Sequence, residues 1–102
     1  MSAIRLNNDN FDQVRSNEGI SLLDFYADWC GPCRMVLPLV DEIAAEREDL
    51  LVGKINVNEN PDLAREFGVL SIPTLVVMKD GKIINKVSGA RSKAQILELV
   101  GA

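Results

Sequence analysis

The chain holds two cysteines, Cys30 and Cys33, and they flank Gly31-Pro32 in the run Trp29-Cys30-Gly31-Pro32-Cys33. Side chains three residues apart become neighbours as soon as a helix begins. A small adjustment of the first turn then brings the two Cβ atoms to the ~3.5–4.5 Å that a disulfide requires. A pair spaced in this way opens and closes without remodelling the fold around it. With Cys30 at a helix N-cap, its sulfur accepts from the free N–H groups of the first turn, that of Cys33 included, and lies at the positive end of the helix dipole. Both effects favour the thiolate, which is the nucleophile in disulfide exchange. Cys30 is therefore expected to attack and Cys33 to resolve. Pro32 suits the first helical turn, where a missing N–H costs nothing, and its fixed φ holds the loop in shape.

Two plainer assignments compete with this one. Half of a zinc site is the first, but a structural zinc asks for about four Cys or His ligands, and the chain offers two Cys and no His. A static disulfide is the second, yet a bridge across two intervening residues closes so small a loop that it removes little unfolded-state entropy. A CxxC beside a strand-helix-strand pattern in a cytosolic chain points instead to redox chemistry. The missing histidine also excludes a Cys-His nucleophile pair and a His general base.

Asp24 is the next residue with chemical potential, a carboxylate inside the apolar run Ile20 to Ala27, shortly before the cysteines. Burial disfavours its charged form and should raise its pKa. A carboxyl raised in this way can take the proton of Cys33 during resolution, directly or through a water, and return it later. The alternative is a structural carboxylate, hydrogen-bonded to a neighbouring strand or paired with a lysine. Lys54 lies in a later strand that is expected to run parallel to Ile20–Ala27, where it can approach Asp24 and moderate its desolvation; a lysine snorkelling from a strand edge fits the same sequence.

The elements that position these residues follow from periodicity and punctuation. Ile4 to Leu6 is a candidate edge strand, and Asn7 or Asn8 a cap for a short helix carrying Phe11 and Val14. In the strand Ile20 to Ala27, Leu22, Asp24 and Tyr26 point one way while Leu23, Phe25 and Ala27 point the other, both sides being buried. From Arg34 to Glu48 the positions Val36, Leu39, Val40, Ile43 and Ala44 mark one stripe of a long helix. Pro38 falls inside that helix and is expected to kink it. Leu50 to Val57 forms the next strand, which makes a right-handed parallel crossover.

Asn60 with Pro61 starts a two-turn helix that buries Leu63, Ala64 and Phe67 and ends at Gly68. Leu75 to Met78 and Lys82 to Val87 are then joined antiparallel through Asp80-Gly81, the strongest hairpin signal in the chain. Ser92 caps a last helix with Ile96, Leu97 and Val100 on its inner face. Five strands and four helices in this order make an α/β domain, a mixed sheet with helices on both faces, parallel in its first half and antiparallel in its second.

Composition bounds the rest. The 102 residues suffice for one domain and one core. A hydrophobic fraction of 47% with 25% charged residues is an ordinary globular balance. A net charge of −4, with 11 basic residues scattered, gives no footprint for nucleic acid. No stretch approaches the ~18 apolar residues of a membrane span, and the polar start of the chain carries no apolar core of a signal peptide. The expectation is a cytoplasmic protein without a metal or cofactor, in which a lone cysteine pair is catalytic rather than structural.

Taken together, these residues resemble the thioredoxin family. The resemblance runs from Asp24-Phe25-Tyr26-Ala27-Asp28-Trp29-Cys30-Gly31-Pro32-Cys33 through Pro38, Lys54-Ile55-Asn56-Val57, Ile72-Pro73-Thr74, Asp80-Gly81 and Gly89. It implies the thioredoxin fold over a single domain of residues 1–102, with a central mixed five-stranded sheet flanked by four helices. It implies an exposed nucleophile at Cys30, a buried resolving thiol at Cys33, a buried proton acceptor at Asp24, and Lys54 tuning that carboxyl. Pro38 is similar to the family's helix-kinking proline and Pro73 to its cis-proline, which turns the backbone of Ile72 outward to pair with an extended substrate segment. Trp29, Gly31, Pro32, Ile72, Pro73, Gly89 and Ala90 form the substrate-binding surface on this resemblance, with Gly89 permitting close backbone approach.

The implied activity is protein disulfide reduction by dithiol-disulfide exchange, with electrons passed from a thioredoxin reductase to target protein disulfides and cell redox homeostasis as the result. The protein is expected to act as a monomer. Gly31-Pro32 lacks the histidine found between the cysteines of oxidising members, which favours the reducing direction. A disulfide oxidase or isomerase is the neighbouring alternative, and a binding module whose rim serves as a subunit contact is the alternative of another kind. Asn58, Ser71 and Tyr26 depart from the commonest family pattern, and the first two bear on partner preference.

Overall fold

The structure is a computed structural model and describes residues 3–101. Strands β1 (Ile4–Arg5), β2 (Ile20–Tyr26), β3 (Leu51–Asn56), β4 (Thr74–Lys79) and β5 (Lys82–Ser88) form one sheet in the order β1-β3-β2-β4-β5. β1 and β2 both pair with β3 in parallel, while β4 pairs antiparallel with β2 and with β5. Helices α1 (Asp12–Arg15), α2 (Gly31–Glu46), α3 (Pro61–Glu66) and α4 (Lys93–Val100) complete the chain.

The alternation of β2 separates two cores. Leu22 joins Val36, Val40 and Ile43 of α2, Val52, Leu75 and Val77 of the sheet, and Ile96 and Val100 of α4. Leu23 and Phe25 face the other way, with Phe11, Val14, Ile55, Leu63 and Phe67. Phe67 lies at the centre of that second core, its ring edge-on to Phe11 and tilted against Phe25 at centroid distances of 5.4 and 5.6 Å. A central strand covered on both faces explains why its residues read as a nearly unbroken apolar run.

The strands run close to their expected bounds, and the hairpin turn is the expected one. Asp80 and Gly81 both adopt positive φ, 53° and 76°, the pairing that a two-residue I′ turn demands and that Asp-Gly provides. Ser92 caps α4 through a full capping box: its Oγ accepts the N–H of Gln95 at 3.2 Å, and Gln95 Oε1 accepts the N–H of Ser92 at 2.9 Å.

Helix ends differ from the sequence expectation where side chains found other partners. Asn7 Oδ1 accepts the N–H groups of Asp9 and Asn10, so it caps the turn that precedes α1 and not the helix itself. Asn60 occupies the N-cap position of α3 but does not cap it; its amide donates to the Asn56 carbonyl at 3.1 Å. α2 begins at Gly31, ahead of Arg34, and ends at Glu46, where Arg47 leaves helical geometry and its guanidinium turns to Asp49. Pro38 lies within this helix, which continues without a break.

Candidate redox site

Cys30 is the N-cap residue of α2, with φ −91° and ψ 111°. That extended backbone aims its side chain back across the helix start, so the N–H of Cys33 donates to Cys30 Sγ at 3.3 Å. The two residues form a disulfide, with Cα atoms 5.3 Å apart, inside the range that needs no backbone movement. The loop ahead of them is braced twice: the Cys30 N–H donates to the Ala27 carbonyl at 3.2 Å, and Arg34 Nη2 donates to the Asp28 carbonyl at 3.0 Å. Cys33 is wholly buried and Cys30 is 5% exposed. The expected contrast of an exposed and a buried sulfur is therefore small in the disulfide state.

Around the pair, Tyr26 and Ala27 with Leu37, Val57 and Ile72 form an apolar cluster. The Ile72-Pro73 bond is cis. The Ile72 carbonyl oxygen lies 3.8 Å from Cys30 Sγ, and among the described residues the Ile72 N–H and C=O make no backbone hydrogen bond. The Pro73 carbonyl accepts the N–H of Gly89 at 2.8 Å, Gly89 taking φ 94°. Gly31, Pro32 and Ala90 are exposed, Pro73 is buried and Gly89 half-buried. Beside the disulfide a groove of about 420 Å³ is lined by Trp29, Val57, Ala64, Val69, Leu70, Ser71 and Ile72. Gly89 and Ala90, expected on the same rim as Trp29 and Ile72, do not line it.

Trp29 is 69% exposed and Leu70 98% exposed, apolar surface that a monomer gains nothing by displaying. Leu70 was not singled out from the sequence. Its signal was available: a bulky apolar residue between the helix-ending Gly68 and the break at Pro73, with no periodic neighbour to bury it.

Asp24 lies under α2, on the face of β2 that carries Leu22. It is fully buried, and among the described residues neither carboxyl oxygen has a hydrogen-bond partner. Among the described residues, neither the strand hydrogen bond nor the close lysine pair of the structural alternative is present. Burial raises its pKa from 3.8 to about 7, Lys54 lowering it and Asp41 raising it further. Lys54 is the Cα partner of Asp24 in the parallel ladder, but its ammonium is 3.9 Å from Asp41 Oδ1 on α2. The cation expected beside Asp24 is thus turned towards a different carboxylate, one that by sequence alone looks like the other acidic residues of the helix.

A cysteine pair closed at a helix N-terminus, over a buried carboxyl and against a cis-proline loop, is a redox-active dithiol/disulfide motif. The family model described as Thioredoxin matches residues 2–102. A thioredoxin of Mycobacterium tuberculosis is 51% identical over 87 residues, covering 84% of this chain and 74% of its own. One of Chlamydia caviae is 43% identical over 92 residues, with 90% and 89% covered. Among solved structures, a mutant thioredoxin from Halobacterium salinarum superposes with a TM-score of 0.89 at 39% identity, over 97% of this chain and 88% of that one. The chain belongs to the thioredoxin family, and a reductase and disulfide-bearing targets are the general partners this implies. Among the described residues, no helix is long and apolar enough to cross a membrane.

Proposed function

We propose that this chain is a protein disulfide reductase, a single domain of residues 1–102 acting as a monomer in the cytoplasm. The observation that carries the reading is the Cys33 N–H aimed at Cys30 Sγ from 3.3 Å at the start of a 16-residue helix. In the reduced protein this donor and the helix dipole stabilise a Cys30 thiolate. The thiolate attacks one sulfur of a target disulfide; the target S–S bond breaks, a mixed disulfide forms, and the second target sulfur leaves as a thiolate. Asp24 accepts the proton of Cys33, directly or through a water. Cys33 then attacks Cys30 Sγ and expels the first target sulfur, the one bonded to Cys30, as a thiolate, so two electrons have moved to the target and the Cys30–Cys33 disulfide remains.

Lys54 tunes Asp24, and a separate thioredoxin reductase returns the pair to the dithiol. Trp29, Gly31, Pro32, Ile72, Pro73, Gly89 and Ala90 receive the target, the free backbone groups of Ile72 adding a strand-like pairing to an extended segment. Gly31-Pro32 supplies no charge between the cysteines that would favour the oxidising direction. The test is reduction of insulin disulfides with dithiothreitol as electron source. Acceleration by the chain that disappears in Cys30→Ser supports the reading, and no acceleration overturns it.

A further inference from the structure

We propose that Asp41 is a positioning residue for the proton-transfer step, drawing the Lys54 ammonium towards α2 and away from its strand partner Asp24, so that the buried carboxyl has no cation in direct contact with it. The inference rests on the reductase reading only for its purpose; its geometry stands apart from it. Asp24 and Lys54 are register partners on parallel strands, and the residues two positions before them, Leu22 and Val52, belong to the core beneath α2. Both side chains therefore leave the sheet on the α2 face. A lysine so placed has a buried, unpartnered carboxyl within the reach of its stem, yet it forms no ion pair with it. Among the described residues the Asp24 oxygens have no hydrogen-bond partner, and the lysine's one close carboxylate is Asp41, at 3.9 Å.

Asp41 is itself held in place. Its Oδ1 accepts the backbone N–H of Ala3 at 2.9 Å, which ties α2 to the segment entering β1 and fixes the carboxylate that the ammonium meets. An opposite charge in contact with a carboxylate lowers its pKa by about one to three units. Lys54 seated on Asp24 would make that carboxyl a poor proton acceptor at neutral pH, whereas Lys54 seated on Asp41 leaves it basic enough to take a thiol proton. Both charges are near enough to act on Asp24, Lys54 lowering its pKa and Asp41 raising it.

Few other groups bear on it. β3 contributes Lys54, and β1 sets Arg5 beside Lys54 with its guanidinium on Glu59. β2 itself carries Tyr26 two positions on, and α2 contributes Asp41 and Cys33 with Cys30 at its N-cap. α4 presents Ile96 and Val100 to this core, and β4 sets Leu75 opposite Asp24, with no charged residue from Thr74 to Met78.

The experiment is a titration of the Asp24 carboxyl carbon by NMR in the oxidised full chain, where the cysteines do not titrate. Asp41→Asn keeps the acceptor for the Ala3 N–H and removes only the charge. Its Asp24 midpoint is expected to fall by about one unit, with Asp41→Glu restoring it. Lys54→Met is expected to raise the midpoint. In the Lys54→Met background, Asp41→Asn should move it by well under half as much, because no ammonium is left to release. An unmoved midpoint in Asp41→Asn overturns the proposal. So does an undiminished shift in the Lys54→Met background, since Asp41 would then act by its own charge and not by placing the lysine. Because this readout involves no turnover, it separates from the insulin assay: an inactive parent chain defeats the reductase reading alone, and an active chain with a fixed midpoint defeats the positioning role alone.

Discussion

The N–H of Cys33 reaches the sulfur of Cys30 at 3.3 Å, so the residue that closes the disulfide also supplies a donor to its partner. One backbone geometry can serve both redox states, steadying a thiolate when the pair is open and presenting Cys33 beneath it when the pair closes. Reduced protein treated with a limiting amount of iodoacetamide should carry the label on Cys30, while wholly buried Cys33 stays unmodified in peptide maps. Equal labelling would contradict the assigned roles.

Asp24 should destabilise the fold in a pH-dependent way. Its pKa lies at about 7 in the folded chain against 3.8 unperturbed, so between these values the folded state binds the proton that the unfolded state has released. Stability attributable to this group is fully present below about pH 3.8 and is lost as pH rises towards 7. At about 1.4 kcal/mol per unit the loss is of order 4 kcal/mol, an upper figure for so buried a group. Asp24→Ala removes the penalty and leaves a small cavity, so denaturation at pH 8 should show a net gain of about 1–3 kcal/mol. The gain should fade towards pH 4. A variant less stable than the parent at pH 8 would restore a structural role to the carboxyl.

Gly53 lacks a side chain for a steric reason. A Cβ there would collide with Cδ1 of Leu6, where the end of β1 closes over β3. Gly53→Ala should cost about 1–3 kcal/mol, the usual penalty for overpacking a filled core, with little change in the chemistry at Cys30. Chemical denaturation measures the first and insulin reduction the second; an unchanged midpoint would mean that Leu6 moves aside freely.

The sequence was most legible where a local signal and a long-range role coincide. The apolar run ending in Trp29-Cys30-Gly31-Pro32-Cys33 announces a strand, a turn and a helix start at once, and Asp80-Gly81 and Ser92 specify a turn and a cap by chemistry confined to a few residues. Positions whose role depends on a distant partner were not legible. Asp41 has the same appearance as the solvated Glu42 beside it, and only the crossing of α2 over β2 and β3 brings it to Lys54. The direction of Lys54 was undetermined for the same reason, since strand register sets its face but not which of two carboxylates its ammonium approaches. Asn60 precedes Pro61 as a capping residue should, yet its amide is oriented by donation from Nδ2 to the Asn56 carbonyl and makes no cap hydrogen bond. Leu70 took its meaning from the groove, which forms only when the cis-proline loop lies beside α3 and Trp29.

The central claim is that Cys30 attacks and Cys33 resolves, and trapping tests it most directly. A Cys33→Ser chain, reduced and mixed with a disulfide-bonded protein, should accumulate as a covalent mixed disulfide that dithiothreitol reverses and that mass spectrometry maps to Cys30. A Cys30→Ser chain, its remaining thiol wholly buried in the parent structure, should form little or none. Adducts carried equally by both variants, or by neither, would contradict the account.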